Sequence, residues 1–279
     1  MENLSPLVSV LIPTYNGAPY IETALLSVLK QDYPDVEIIV SDDASLDTTL
    51  DTLKLIKREN DTKDQIRILF SDTNQGIAKN MNKGLSETTG KYVAILDQDD
   101  EWIDSTKLTK QVEFLENNPD YGLLGTQREV IFNGTPLPSP LPTTDTEIRS
   151  VIPKICPFQH SSVLFRNDLL KELGGYDATY KYAMDYDLFY RFLREAKGAN
   201  LDIFSIKYYF HNMNTSSQFT SKQIRETLDI KRKNRDDFPL NFLLFGIQLG
   251  NLLSVKFLGH YDWYQKLKYC VKRHVIQQK

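Results

Sequence analysis

Cysteine and histidine are scarce in this chain, with two Cys and four His among 279 residues. Cys156 and Cys270 stand far apart and no His/Cys group has the spacing of a zinc site, so structural zinc is not expected. The thiols read as reduced and buried, as in a cytosolic protein. A secretory leader is not expected either, because MENLSPLVSV has no basic stretch followed by an apolar run. Nor is positive charge in excess. A net charge of −4 lacks the electrostatic footprint of a nucleic-acid-binding protein. The charge is unevenly placed: from Lys222 to the end, 12 Lys/Arg stand against 5 Asp/Glu, or +7, which leaves −11 for residues 1–221. An acidic body with a basic end implies that the end meets an anionic surface.

What is present is a regular alternation. LVSVLIPTY (7–15) is a continuous apolar, β-branched run, the mark of a strand covered on both faces. Helical spacing follows at Ile21, Leu25 and Val28, then strand VEIIVSDD (36–43), then a helix over 46–60 capped near Ser45 or Asp47. QIRILF (65–70) is a third strand, 76–90 a helix closed by Gly90, and YVAILDQDD (92–100) the fourth strand. A helix with Asp104 as its cap and Pro119 past its end completes the series. Four strand–helix units in about 110 residues predict a doubly wound, mostly parallel sheet with right-handed crossovers and helices on both faces. After Tyr121 the pattern weakens. YGLLGTQREVIF suits a strand, NGTPLPSPLPTT a Pro-rich loop, HSSVLFRNDLLKELGGYD a strand, helix and Gly-Gly stop, and DYDLFYRFLREAKG a helix. Nothing marks a linker before Ser217, so the reading is one domain over 1–217 and a helical extension over 218–279.

In sheets of this kind ligands bind beyond the carboxyl ends of the strands. The acidic residues sit there: Asp42 and Asp43 after the second strand, and Asp97, Asp99, Asp100 and Glu101 after the fourth. A helix cap and a solvated turn account for one or two such carboxylates, not for four in one turn. An oxygen-liganded Mg²⁺ or Mn²⁺, brought in with a diphosphate, balances their charge.

SVLIPTYNG, EIIVSDDASLDTT, NQGIAKNMNKGL and YVAILDQDDEW, with the later HSSVLFRNDLLKELGGYD and MDYDLFYRFL, resemble family 2 inverting glycosyltransferases of the GT-A fold. The resemblance runs from about Leu7 to about Ser217. It implies that DQD is the DXD motif, with Asp99 as metal ligand, Asp97 near ribose and metal, and Asp100 in support. It places Asp42 on the nucleotide base, where a carboxylate accepts the N3–H of uracil or thymine, with Pro13 and Tyr15 lining the base pocket. Lys79 stands where the family carries Arg, so a phosphate contact there loses the bidentate fork, and a solvated helix lysine is the alternative. The resemblance makes Asp185, after Met184, the base that deprotonates the acceptor hydroxyl, with Asp187 as its rival. It also brings His211 toward the metal or diphosphate, and His160 is a candidate for the acceptor pocket.

The expected function is therefore metal-dependent transfer of a sugar from a UDP-sugar or dTDP-sugar to a lipid-linked or saccharide acceptor in surface polysaccharide synthesis. A nucleotidyltransferase is the rival, but PTYNGAPY lacks the basic, Gly-rich loop such enzymes carry after the first strand. A non-catalytic sugar-nucleotide binder is a second. FPLNFLLFGIQLGNLLSVKFLG (238–259), flanked by KRKNR and KLKYCVKRH, suits helices lying at the inner face of the cell membrane. A hairpin packed on the domain, or a homodimer contact, is the alternative.

Overall fold

The structure is a computed structural model that describes residues 5–61, 63–132, 134–209 and 221–238. Its first part alternates as the sequence predicts: β1 (Val8–Thr14), α1 (Ile21–Leu29), β2 (Val36–Asp42), α2 (Thr49–Asn60), β3 (Ile66–Phe70), α3 (Ile77–Ser86), β4 (Tyr92–Ile95). β1 is buried along its whole length and lies between β2 and β4, parallel to both, with β3 beyond β2. Successive side chains of a strand point to opposite faces, and the two cores show it. Val8, Val10 and Ile12 pack with Ile21, Leu25 and Leu53 of α1 and α2, whereas Leu11 packs with Met81 and Leu85 of α3. Helices therefore cover both faces of the sheet.

The remaining elements are β5 (Asp100–Trp102), α4 (Lys107–Asn117), β6 (Tyr121–Phe132), β7 (Thr135–Ser139), α5 (Asp145–Val151), a single 3-10 turn (His160–Ser162), β8 (Leu164–Arg166), α6 (Asn167–Glu172), α7 (Met184–Glu195), β9 (Lys197–Tyr209) and α8 (Ser221–Lys233). They extend the sheet in the order β3-β2-β1-β4-β8-β6-β9-β5, with β7 on β6. β8, β7 and β5 run against the other strands, so the sheet is mixed but mostly parallel.

Three expectations are corrected. The fourth strand does not reach Asp100. It stops at Ile95, and Asp100–Trp102 form β5, antiparallel to β9. The break follows from the partners of Asp97, whose backbone N–H and carboxylate are taken by Ser161 and His160 instead of a ladder neighbour. Within the Pro-rich stretch, Thr135–Ser139 is an edge strand on β6, a place that tolerates Pro136 and Pro138. The expected Asp104 cap is displaced: Asp104 accepts the Thr106 N–H at 2.9 Å and α4 starts one residue later. α8 packs Ile230 into the core that also holds Phe189 and Phe192 of α7. The apolar run beyond Phe238 lies outside the described residues. Among the described residues no helix is long and apolar enough to cross a membrane.

Candidate active site

The site lies at the carboxyl ends of β1, β2 and β4. Gln98, in the acidic turn, fastens that turn to the end of β1: its Oε1 accepts from Thr14 Oγ1 at 2.6 Å and from the Tyr15 N–H at 2.9 Å. Pro13 is buried and Tyr15 is 40% exposed, so the ring of Tyr15 is the accessible surface at this strand end. Asp42 has no exposed surface, and its two oxygens accept from Ser45 N–H (2.9 Å) and Ser45 Oγ (2.5 Å). Asp43 accepts the N–H groups of Gln75 and Gly76, both at 2.8 Å, and so fixes the approach to α3. Lys79 is exposed on α3. His211 lies outside the described residues.

The acidic turn is held from the second half of the chain. His160 Nδ1 lies 3.0 Å from both carboxylate oxygens of Asp97, and His160 Nε2 lies 2.8 Å from the hydroxyl of Tyr176. Ser161 Oγ donates to Asp97 Oδ2 at 3.2 Å and also lies in hydrogen-bond contact with Asp100 Oδ2, which Gln159 reaches at 3.4 Å. The indole N–H of Trp102 donates to Ser161 O at 2.8 Å and holds the serine from below. Tyr176 follows Gly174 and Gly175, both at positive φ, and its backbone is pinned by Asn82 of α3 at 2.7 and 2.8 Å.

Charge divides this cluster. Burial would raise the Asp97 carboxyl, but the charge of His160 and the hydrogen bonds from His160 and Ser161 hold it below the usual range. Asp100 goes the other way: burial, with Asp99 and Asp97 as like-charged neighbours, pushes it well up, and Ser161 and Gln159 offset only part. Its Oδ1 is buried without a hydrogen-bond partner. Burial lowers His160, yet Asp97 and then Asp185 raise it beyond its ordinary value.

Asp185, on the first turn of α7, is close enough for its charge to act on His160, and the Asp97 charge acts on it in return. Removal from water raises its carboxyl; His160 and the Tyr186 N–H, which donates to Asp185 Oδ1 at 2.8 Å, pull back. Asp187 faces elsewhere. It pairs with Arg191 at 2.8 Å, and Arg191 in turn donates to the carbonyls of Leu173 and Gly175.

Among the described residues no three His, Cys, Asp or Glu side chains converge tightly enough to hold a metal unaided. The donor set nevertheless suits a divalent cation that brings a diphosphate with it. Among the described residues it offers carboxylate oxygens, its like charges push up a buried carboxyl, and Asp100 Oδ1 is an orphaned acceptor. Sequence reasoning missed Gln98, Gln159, Ser161 and Tyr176. The signal for Ser161 was its place beside His160, but nothing local connects it to Asp97.

A mostly parallel sheet with an acidic turn at its carboxyl edge and a second acidic group brought in on a later helix defines the GT-A-like class of nucleotide-sugar transferases. The chain belongs to glycosyltransferase family 2: the family described as "Glycosyl transferase family 2" matches residues 9–174. A Haemophilus influenzae protein described as an uncharacterized glycosyltransferase is 30% identical over 94% of this chain and 83% of its own. The putative teichuronic acid biosynthesis glycosyltransferase TuaG of Bacillus subtilis is 43% identical over 41% of this chain and 44% of its own. Among solved structures, Staphylococcus aureus TarS 1–349 in complex with UDP-GlcNAc has a TM-score of 0.69 at 23% identity, covering 90% of this chain and 73% of that one. Mannosyltransferase PcManGT from Pyrobaculum calidifontis, with GDP-Man and Mn²⁺, has 0.64 at 18%, covering 98% and 87%. The likeness to both structures is one of fold.

Proposed function

We propose that this glycosyltransferase moves a sugar, with inversion, from a UDP-sugar or dTDP-sugar to a lipid-linked or saccharide acceptor in bacterial surface polysaccharide synthesis. The reading is carried by the hold of His160 on Asp97 of the acidic turn, near enough to Asp185 on α7 for the charges of His160 and Asp185 to act on each other, from positions remote in the chain. Inverting transfer needs one carboxylate for the acceptor proton and a separate group for the departing nucleoside diphosphate. Asp185 suits the first role, since loss of water raises its basicity and, among the described residues, no lysine or arginine pairs with it as Arg191 pairs with Asp187. Asp99, Asp97 and Asp100 would hold Mn²⁺ or Mg²⁺, with His211 as a further ligand; when bound, the cation neutralises charge on the leaving diphosphate. Both ring nitrogens of His160 are engaged, so any acceptor contact it makes belongs to this network.

Tyr15 would cover the base and Pro13 would back it. Asp42 is proposed to read uracil or thymine, and because it has no exposed surface beneath the Ser45 turn, that contact requires the turn to open. The teichuronic acid assignment of TuaG supports the polysaccharide class, and UDP-GlcNAc in TarS supports uridine donors. PcManGT holds GDP-Man, so the architecture admits guanosine as well. A thermal-shift screen of UDP-, dTDP- and GDP-sugars with Mn²⁺, followed by an assay for donor hydrolysis, tests the reading. Uridine or thymidine donors should stabilise and be hydrolysed. A preference for GDP-sugars removes Asp42 from the base pocket, and binding without hydrolysis points to a non-catalytic binder.

The residues beyond Phe238 are proposed to attach the enzyme to the inner face of the cell membrane, through apolar burial and cations over anionic headgroups. Deletion of 239–279 should abolish sedimentation with anionic liposomes. Unchanged sedimentation makes the extension a packing or homodimer element.

A further inference from the structure

α7 carries Asp185 on its first turn but has no cap of its own, because the residue before it is Ala183, whose side chain accepts nothing. Helix N-termini leave backbone N–H groups without internal partners, and a capping side chain normally supplies the acceptor from within the same segment. Here α8 supplies an acceptor for the N-cap residue Ala183 and for the two residues before it. Glu226 accepts the N–H of Lys181 at 3.1 Å, of Tyr182 at 2.7 Å and of Ala183 at 3.1 Å. A second clamp lies beside it: the hydroxyl of Tyr180 donates to Asp229 at 2.8 Å, and Lys233 bonds both, at 2.5 Å to Tyr180 and 3.0 Å to Asp229. From another side, Arg191 ties α7 to the carbonyls of Leu173 and Gly175. The segment that leads into α7 is thus held by α8, α7 itself is tied to the Gly174–Gly175 turn, and Asp185, whose charge acts on His160, stands on the first turn that follows.

We propose that Glu226 is a positioning residue for sugar transfer: it completes the N-terminus of α7 from another helix and thereby aims Asp185 at the acceptor. The inference rests on the reading of Asp185 as the base. A general base must come within about 2.6–3.2 Å of the proton-bearing atom, and an error of about 1 Å can cost about 10²-fold in rate. Among the described residues the donor-side groups follow β1, β2 and β4 and share no hydrogen bond with Glu226, so its loss should spare donor binding. The link also gives α8, the described helix of the C-terminal extension, a direct hold on the chemistry. Whatever shifts α8 shifts the base.

The test compares full-length Glu226→Ala and Glu226→Gln with Asp185→Asn, and uses Arg225→Ala on the exposed side of α8 as a control. For Glu226→Ala the expected result is a fall in kcat per folded molecule of about 10–10²-fold, with donor KM and UDP affinity unchanged. Glu226→Gln keeps one acceptor oxygen and should fall between it and the wild type, which also decides the matter if the alanine variant does not fold. Arg225→Ala should match the wild type. In an Asp185→Asn background Glu226→Ala should cause no further loss of turnover. A purely structural role would lower Tm and leave kcat per folded molecule intact; that result, or an equal effect on donor affinity, overturns the proposal. A dead Asp185→Asn with unaffected Glu226 variants overturns this inference alone, whereas normal turnover by Asp185→Asn overturns the base assignment and this inference together.

Discussion

Residues 8–117 and 121–238 share one sheet and are built by different rules. In the first region β1 to β4 run parallel to one another and each is followed by its own helix or turn, and strand ends are organised locally, as where Ser45 binds Asp42 and Thr49 binds Asp47. In the second, strands pair across long stretches of chain, with Leu123 beside Phe165 and Leu124 beside both Leu164 and Ala199. The first region carries the carboxylates assigned to nucleotide and metal. The second brings His160, Ser161, Tyr176 and Asp185 to them. Donor binding should therefore follow the first region and turnover the second, and a variant that damages one should leave the other measurable.

The largest effect is expected at the junction. Asp99→Ala should abolish transfer and Mn²⁺-dependent UDP binding together, since a cation shared with a diphosphate has one or two protein carboxylates and losing one leaves little. Calorimetry with UDP, with and without Mn²⁺, checks this. Unchanged UDP binding, or full transfer in EDTA, would break the comparison at its base.

Next comes the separation itself. Asp185→Asn should lower kcat by about 10²–10⁴-fold, the usual contribution of positioned acid–base catalysis, while UDP affinity persists. Asp187→Asn should cost stability, because Arg191 loses the partner that holds it on the Gly174–Gly175 turn. If Asp187→Asn is the dead variant and Asp185→Asn turns over normally, the helix is right and the carboxylate wrong.

A smaller effect probes the long-range frame. Gly175 has φ of 69°, and a Cβ there would lie 2.6 Å from Asn82 Oδ1, the atom that accepts the Tyr176 N–H. Gly175→Ala should cost about 1–3 kcal/mol of stability. It should also reduce kcat more than donor affinity, through displacement of Tyr176 from His160. Equal loss of both would mean that the two regions are not separable at this joint.

The smallest effect concerns α8. Lys231 is 5% exposed, its amine donates to Lys154 O at 3.0 Å, and burial lowers its pKa to about 7. Because the unfolded chain keeps this proton up to the ordinary lysine range and the folded chain releases it near 7, stability should rise with pH from about 7 upward. Below that, both states are protonated and the folded state carries the whole cost. Lys231→Met should therefore raise Tm most at pH 6.5 and least at pH 10, and a pH-independent difference would show that the folded amine titrates normally.

The βα alternation, the burial of β1 on both faces and the position of the acidic turn were legible because each rests on local period or on the residues that end a strand. α5 carried a readable signature that was passed over: Thr144 accepts the Glu147 N–H and Glu147 accepts the Thr144 N–H, both at 3.3 Å, a capping box in TTDTE. β9 was not legible. Its register against β6 shifts at Thr126–Gln127 and again at Gln127–Arg128, and such irregularities scramble the two-residue period by which a strand is read.

Composition and pattern by themselves determined that a mostly parallel sheet forms, that carboxylates gather at its carboxyl edge, and that no His/Cys set with zinc spacing stands there. Only tertiary structure decided what each carboxylate is. Asp97 and Asp100 lie three residues apart, yet His160 holds one down while burial among like charges drives the other up. Asp185 and Asp187 lie two apart, and one feels the charge of His160 while the other is bound to Arg191. A carboxylate's chemistry depends on the water it loses and the charges it meets. His160 and Ser161 reach Asp97 from 63 and 64 residues away, at distances that no local pattern encodes.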